Sequence, residues 1–249
     1  MSSDLTGKVV LITGAAKRVG AEIARNLHAA GATLALHYRS ATMEAQALVA
    51  ECNAARAGSA LAFQADLLDI EQLSKLVTEV AAHFGQLDAL VNNASSFYAT
   101  PIGRIGETEW NDLIGTNLKA PLMLAQAAAP HLAVARGAIV NITDIHAEWP
   151  LHHYALYCAA KAGLTGLTRA LALDLAPDVR VNGVAPGPIL WPEDGSFDNA
   201  AQAKILTRTP LRRGGEPADI ARAVRFLLAD APYVTGQIIA VDGGRSIAL

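Results

Sequence analysis

Short apolar runs alternate with longer segments of helical periodicity along the whole chain. This alternation is typical of strands in a parallel sheet whose two faces are covered by helices. The predicted strands lie near residues 8–13, 32–37, 59–64, 88–92, 137–142, 179–184 and 237–241. We therefore expect an α/β fold built on a doubly wound parallel sheet.

Several residues that could carry chemistry directly follow predicted strands. They are Gly14, Asn93, Thr143 and Pro186. Ligands of an open parallel sheet bind at the carboxyl ends of its strands, near the point where the strand order reverses. We expect these residues to converge on one site.

The first predicted strand runs directly into a glycine turn, which is followed by a helical repeat. The turn extends from Gly14 to Gly20. A strand, a glycine turn and a helix present free backbone N–H groups and the positive end of the helix dipole to a pyrophosphate. The segment therefore predicts a dinucleotide site.

Tyr157 lies four positions before Lys161 and thirteen positions after Asp144. Residues four apart on a helix share a face, so we expect the Lys161 ammonium to lie near the Tyr157 hydroxyl and to lower the pKa of that phenol. Such a phenol can act as a general acid. Asp144 is then either a proton relay beside the phenol or a carboxylate that supports its loop.

These motifs together resemble the short-chain dehydrogenase/reductase family. The family pattern Thr-Gly-x-x-x-Gly-x-Gly matches Thr13, Gly14 and Gly20 but not its central glycine, and Tyr-x-x-x-Lys matches residues 157–161. The resemblance covers essentially the whole chain. It implies a single Rossmann-like, NADP-binding reductase domain over residues 1–249.

Four departures from the common family pattern resemble the pteridine reductase branch. Arg18 stands at the place of the central glycine, and Asp144 stands at the place of the catalytic Ser. The loop at 92–98 reads Asn-Asn-Ala-Ser-Ser-Phe-Tyr where most of the family has Asn-Asn-Ala-Gly, and the second strand ends in His-Tyr-Arg-Ser at 37–40.

The end of the second predicted strand decides the expected nucleotide. Enzymes that prefer NAD place an acid there on the ribose 2′-hydroxyl, whereas this chain has His37, Tyr38, Arg39 and Ser40. Arg39, with Lys17 and Arg18 from the glycine turn, could form charge-assisted bonds to a 2′-phosphate. NADPH is the predicted cofactor, and the alternative is that these are solvated surface cations.

The resemblance implies further site residues. The implied catalytic set is Asp144, Tyr157, Lys161 and Asn117, and the implied substrate contacts are Ser95, Phe97, Asp144, Tyr157 and Trp191. Besides residues 17–18 and 37–40, the implied cofactor contacts are Gly14, Gly20, Asp66, Leu67, Asn93, Ala94, Ser95, Lys161, Pro186, Gly187 and Ile189.

Each of these assignments has a structural alternative. Asp66 could be the N-cap of the next helix, and Asn93 could be a turn residue. Asn117 is expected inside a helix that begins near Glu107, where it could simply be exposed. Phe97 could be a packed loop aromatic. Residues 191 to about 208 are predicted to form a substrate lid.

Composition narrows the function classes. A chain of 249 residues with 52% apolar content suits one α/β domain, and a net charge of −3 without a basic stripe favours no nucleic acid partner. We expect no membrane span and no metal site, and the start of the chain lacks signal-peptide features. A cytoplasmic location is therefore expected. The resemblance implies a homotetramer, with the helices near 107–130 and 153–175 as candidate interfaces.

The expected activity is NADPH-dependent reduction of a dihydropterin, either dihydrobiopterin, dihydromonapterin or dihydrofolate. Hydride would reach the carbon of a C=N bond in the pterin, while Tyr157 would help to protonate the ring nitrogen. Two alternatives stay open, a carbonyl or 3-oxoacyl-thioester reductase and a nonenzymatic NADPH-binding regulator. Asp144 and Phe97 disfavour the first alternative, and the Tyr157–Lys161 pair disfavours the second.

Overall fold

A computed structural model describes residues 4–192 and 195–248. Its seven strands form one parallel sheet in the order β3-β2-β1-β4-β5-β6-β7. The strands are β1 (Val9–Ile12), β2 (Thr33–Tyr38), β3 (Ala60–Gln64), β4 (Ala89–Asn92), β5 (Ala138–Ile142), β6 (Arg180–Pro186) and β7 (Ile238–Val241). All seven predicted strands are present, each within two residues of its expected ends, so the predicted doubly wound fold is confirmed.

Eight α-helices cover the sheet in the described part of the chain. They are α1 (Arg18–Ala29), α2 (Thr42–Ala55), α3 (Ile70–Phe84), α4 (Glu107–Ile114), α5 (Ala120–Ala135), α6 (Ala155–Asp174), α7 (Asn199–Arg208) and α8 (Pro217–Ala229). A π turn, Gly115–Lys119, joins α4 to α5, and short 3-10 turns occur at Ile145–Ala147 and Arg245–Ile247.

Each face of the sheet has its own hydrophobic core. Val10 and Ile12 of β1 join the core against α1, α2 and α8, whereas Val9 and Leu11 join the core against α3, α5 and the end of α6. Successive strand side chains point to opposite faces, so a strand covered on both sides must be apolar throughout. This is why the strands appear in the sequence as unbroken apolar runs.

The strand order reverses between β1 and β4. The chain forms β1, β2 and β3 outward in one direction and then returns to place β4 on the other side of β1. In a doubly wound sheet this arrangement opens a crevice at the carboxyl ends of the two central strands. Gly14, Asn93, Thr143 and Pro186 all line that crevice. Among the described residues, no helix is both long and apolar enough to cross a bilayer.

Candidate active site

A cleft of about 740 Å³ opens at the carboxyl edge of the sheet. Its volume lies in the range of ordinary small-molecule and cofactor sites. All but one of the predicted site residues line it. The exception is Asn117, which is fully buried beside the cleft.

Tyr157 and Asp144 form the chemical centre of the cleft. The Tyr157 hydroxyl donates a hydrogen bond to Asp144 Oδ2 at 2.6 Å. The other carboxylate oxygen, Asp144 Oδ1, accepts from the backbone N–H of His146 at 2.8 Å and so caps the 3-10 turn that follows β5. The carboxylate therefore supports its loop and contacts the phenol at the same time.

The expected effect of Lys161 on Tyr157 is wrong for this geometry. Burial is the main cause that raises the pKa of Tyr157 well above its usual 10, and the negative charge of Asp144 raises it further. Lys161 Nζ instead donates to the carbonyl of Ile142 at 2.8 Å and lies 5.7 Å from the centre of the Tyr157 ring. The phenol therefore keeps its proton near neutral pH.

Lys161 is a buried cation at the base of the cleft, with only 2% of its surface exposed. Burial lowers its pKa from 10.5 to about 8, although the Asp144 carboxylate opposes that shift. The ammonium form still predominates near neutral pH, because the pKa lies about one unit above it. Lys161 thus supplies a desolvated positive charge next to the phenol.

Asn117 holds the loop that follows β4. Its side-chain amide donates to the carbonyls of Ser96 and Leu113, both at 2.9 Å, and its Oδ1 accepts from the Ser95 hydroxyl at 2.6 Å. The helix begins at Glu107 as expected and continues without a break through Asn117, which lies in a π-helical segment between α4 and α5. Such segments are frequent at functional sites.

Phe97 extends from the same loop into the cleft. Its ring stacks on Tyr154, with centroids 4.6 Å apart, and meets Tyr157 edge to face at 4.7 Å. Tyr154 is 6% exposed and fixes the Phe97 ring from behind. Tyr154 was not identified from the sequence, because no spacing rule connects the N-cap of a helix with an aromatic residue in a distant loop.

The glycine turn packs tightly against the loop after β4. A Cβ on Gly20 would lie 2.2 Å from the Gly14 carbonyl oxygen and 2.6 Å from Asn93 Nδ2. Asn93 Nδ2 itself donates to the carbonyls of Thr13 and Gly14. The first turn of α1 can approach the loop this closely only because residue 20 has no side chain.

His37 anchors the glycine turn to the second strand. Its Nδ1 accepts from the Gly14 N–H at 3.1 Å, so Nε2 carries the proton and donates to the Ala65 carbonyl at 3.1 Å. Burial lowers the His37 pKa to about 4, which keeps the ring neutral. Both ring nitrogens are thus occupied by the protein.

Three cationic side chains line the cleft near the end of β2. They are Lys17, Arg18 and Arg39. Lys17 forms an ion pair with Glu44 at 2.7 Å, and Arg39 and Ser40 are exposed. Arg18 has a φ of +55°, a left-handed conformation that favours glycine, and its guanidinium donates to the carbonyl of Trp191 at 3.0 Å.

Asp66 is not the N-cap of α3. That position belongs to Asp69, whose carboxylate accepts from the N–H of Glu71. Asp66 instead accepts from the N–H of Leu68 at 3.0 Å and lines the cleft next to Leu67.

The far end of the cleft is covered by the segment around α7. Trp191 and Phe197 lie on the cleft with ring centroids 5.8 Å apart, and residues 193–194 of the predicted lid lie outside the described residues. Ile205 of α7 and Arg245, which follows β7, also line this end. The rule that strand ends carry chemistry could have identified Arg245, because the predicted seventh strand ends at 241.

The chain is similar to known proteins along almost all of its length. A family model described as enoyl-(acyl carrier protein) reductase matches residues 14–246. Pteridine reductase 1 of Leishmania tarentolae is 38% identical over a 288-position alignment that covers 99% of both proteins. The 3-oxoacyl-[acyl-carrier-protein] reductase FabG of Staphylococcus aureus is also 38% identical, over 95% of this chain and 97% of its own.

The fold has a close counterpart among solved structures. A putative short-chain alcohol dehydrogenase from Sinorhizobium meliloti superposes with a TM-score of 0.94 and 35% identity, over 100% of both chains. The two curated relatives are equally identical to this chain, so identity alone does not separate pterin from oxoacyl-thioester chemistry. The choice between these two chemistries therefore rests on the residues of the site.

Proposed function

The chain belongs to the short-chain dehydrogenase/reductase family, and from this premise we propose that it is an NADPH-dependent pteridine reductase that reduces dihydropterins to their tetrahydro forms. Family membership makes it a nicotinamide-dependent oxidoreductase. The observation that carries the choice of substrate is the 2.6 Å hydrogen bond between Tyr157 and the Asp144 carboxylate.

A carboxylate at this position suits a pterin better than a ketone. Reduction of a ketone or an oxoacyl thioester develops negative charge on an oxygen, which a neighbouring carboxylate would repel. A pterin instead presents N–H donors, which a carboxylate can accept, and its reduction ends with a proton on a ring nitrogen. Asp144 therefore favours C=N over C=O chemistry.

The described residues fit a nicotinamide dinucleotide. The N-cap of α1, Lys17, makes no side-chain capping hydrogen bond, and a Cβ at Gly20 would fill the space between the glycine turn and Asn93. Arg39, Lys17 and Arg18 would hold the 2′-phosphate, and Lys161 would hold the ribose hydroxyls. When bound, the cofactor supplies the hydride.

Side chains of the protein itself would deliver the proton to the substrate nitrogen. Tyr157 keeps its proton because burial and Asp144 raise its pKa, so it can donate to a substrate nitrogen as a general acid. Asp144, which already accepts from the phenol, offers a short route by which the proton is replaced. Lys161 stabilises negative charge that develops on the phenol as its proton leaves.

A substrate and cofactor panel tests the proposal. NADPH oxidation is measured with 7,8-dihydrobiopterin, dihydromonapterin and dihydrofolate, with simple ketones and with acetoacetyl thioester, and then repeated with NADH. We expect turnover of dihydropterins and a preference for NADPH. Tyr157→Phe is the matched control, and it should lower turnover by about 10²- to 10⁴-fold while NADPH still binds.

Each alternative function has a distinct outcome in the same panel. Turnover of acetoacetyl thioester without turnover of dihydropterins would identify an oxoacyl-thioester reductase. Tight NADPH binding without turnover of any substrate would identify a nonenzymatic NADPH-binding protein. Either outcome contradicts the proposal.

A further inference from the structure

We propose that Arg245 binds a carboxylate on the substrate's side chain, so that the enzyme favours dihydropterins with an acidic tail, such as dihydrofolate, over those with an uncharged one. This inference rests on the proposed function and names the substrate class of the same site. It is carried by the position of Arg245, by its burial and by the absence, among the described residues, of a carboxylate within ion-pair distance of its guanidinium.

The order of the strands in the sheet determines where each group of site residues lies along the cleft. The end of β2 carries His37 to Ser40, the glycine turn follows β1, and the chemical centre follows β5. Arg245 follows β7, which lies two strands beyond β5 at the opposite edge of the sheet from β2. A group at this end of the cleft meets the part of the substrate that points away from the cofactor.

Arg245 is a buried cation, with only 8% of its surface exposed, and it lines the cleft. Its guanidinium donates to the carbonyl of Ile205 at 3.2 Å. Within the described residues no carboxylate oxygen lies within 4.0 Å of that guanidinium. The nearby Asp242 carboxylate is held by the backbone N–H groups of Gly244 and Ser246.

The charges around Arg245 favour an incoming anion. Burial is the main cause that lowers its pKa, and the positive charge of Arg208 at the end of α7 lowers it further. The negative charge of Asp242 opposes this shift from beyond ion-pair distance, and the guanidinium stays charged. A desolvated cation that faces a second cation is unfavourable until an anion neutralises it. A planar guanidinium can take a carboxylate with two parallel hydrogen bonds.

The position of Arg245 indicates which kind of pterin side chain could reach it. A pterin ring held at Tyr157 needs a long side chain to reach the end of the cleft beyond β7. The p-aminobenzoylglutamate tail of a folate is long and ends in carboxylates, whereas the short dihydroxypropyl side chain of dihydrobiopterin carries no charge. The cationic end of the cleft therefore matches the folate-type tail.

A structural role for Arg245 makes a different prediction. The Ile205 carbonyl lies in the last turn of α7, so Arg245 could serve only to cap that helix. Arg180 does this for α8, where it donates to the carbonyls of Leu227 and Leu228. Arg180 does not line the cleft, which makes Arg180→Gln a matched control for the loss of a helix-capping guanidinium.

The test compares Arg245→Gln, Arg245→Lys, Arg180→Gln and the unmodified enzyme. kcat and KM are measured with NADPH for 7,8-dihydrofolate and for 7,8-dihydrobiopterin, at low and high salt. In Arg245→Gln we expect the ratio of kcat/KM for dihydrofolate over dihydrobiopterin to fall by about 10- to 100-fold, mostly through KM, as loss of a charge-assisted bond predicts. Arg245→Lys should recover part of that ratio, and Arg180→Gln should leave it unchanged.

Salt gives a second readout that a structural role would not move. In the unmodified enzyme, KM for dihydrofolate should rise more steeply with ionic strength than KM for dihydrobiopterin, because salt screens the contact between opposite charges. Arg245→Gln should remove that difference.

The inference is overturned if Arg245→Gln lowers kcat/KM equally for both substrates, since Arg245 would then act only through α7. That result would leave the proposed function intact, because both dihydropterins would still be reduced. Failure of the proposed function would instead appear in the unmodified enzyme, as an absence of turnover with either dihydropterin.

Discussion

Asp144 is the residue on which the proposed choice between a pterin and a ketone substrate rests. A serine hydroxyl can donate a hydrogen bond to a carbonyl oxygen, whereas an ionised carboxylate can only accept. Here the carboxylate accepts from Tyr157 and from a backbone N–H within its own loop. A single residue thus positions the loop and links the phenol to a second proton-exchanging group.

Asp144→Ser should lower dihydropterin turnover by about 10²- to 10⁴-fold, because Ser cannot exchange a proton near neutral pH. Steady-state kinetics with NADPH and a dihydropterin at neutral pH would measure the effect.

Thermal unfolding and NADPH binding of Asp144→Ser serve as controls, and both should stay close to those of the unmodified enzyme. Unchanged turnover would mean that Asp144 serves only to cap its loop. It would also restore the oxoacyl-thioester reductase as the better proposal.

The buried charge of Lys161 destabilises the folded protein. Its pKa is about 8 in the fold and 10.5 in an exposed chain, so the folded state loses this proton at a lower pH than the unfolded state does. The stability of the unmodified protein should therefore rise between about pH 8 and pH 10.5, and below pH 8 the full cost of the buried charge remains.

Lys161→Met should therefore raise the free energy of unfolding of the cofactor-free protein at pH 7, by about 1 to 3 kcal/mol after the lost hydrogen bond to Ile142 is subtracted. The same change should abolish turnover, because active-site strain is exchanged for stability. Urea unfolding at pH 7 and near pH 9.5 would measure the difference, which should shrink at the higher pH. A variant that is less stable than the unmodified protein at pH 7 would contradict this explanation.

At the scale of elements, the glycine turn and the loop after β4 behave as one unit. Thr13 and Gly14 accept hydrogen bonds from Asn93, and Gly20 lies against both segments. The residue pattern predicted a phosphate-binding turn. It did not predict that the turn is held by a loop about 80 positions later in the chain.

Gly20→Ala should lower the free energy of unfolding by about 1 to 3 kcal/mol, the usual cost of overpacking. A Cβ at this position would overlap the Gly14 carbonyl, so the turn must shift, and we expect the Kd for NADPH to rise by about 10-fold or more. Equilibrium unfolding and fluorescence titration with NADPH would measure the two effects.

Gly166→Ala is the matched control for Gly20→Ala, because Gly166 lies in α6 with nothing within 4 Å of its added Cβ. That variant should be as stable as the unmodified protein or slightly more stable. Equal effects of the two changes would mean that the close packing at Gly20 has no consequence.

At the scale of the whole molecule, exposed apolar side chains indicate surfaces for self-association. Trp110 on α4 and Leu173 on α6 lie on the helices predicted as interfaces. A second group flanks β7, an edge strand that pairs only with β6 in the described residues, and it includes Leu211, Tyr233 and Ile247. Two separate apolar surfaces are what a tetramer with dihedral symmetry requires.

We expect light scattering to give four times the monomer mass. Leu211→Glu combined with Ile247→Glu should leave dimers joined through the remaining surface, because the added charges would be desolvated at the β7 interface. Met43→Glu, at an equally exposed site on α2, should leave the assembly unchanged. A monomeric unmodified protein would contradict the proposed tetramer.

Apolar periodicity determined the fold class, because two-sided burial of a parallel sheet forces each strand to be apolar throughout. Local motifs likewise identified Tyr157, Lys161, Asp144 and the glycine turn, since helical and turn geometry act over a few residues. Only the tertiary structure decided the pKa values and the hydrogen-bond partners of these groups. The pKa of Tyr157 depends on burial and on a carboxylate from another element, and Lys161 reaches a strand carbonyl and does not bond the phenol.

Tyr154 and Arg245 reach the cleft for the same reason, since packing brings their distant segments beside it. Electrostatic and packing terms of this kind depend on distances between residues far apart in the chain. The linear pattern of a sequence does not contain those distances.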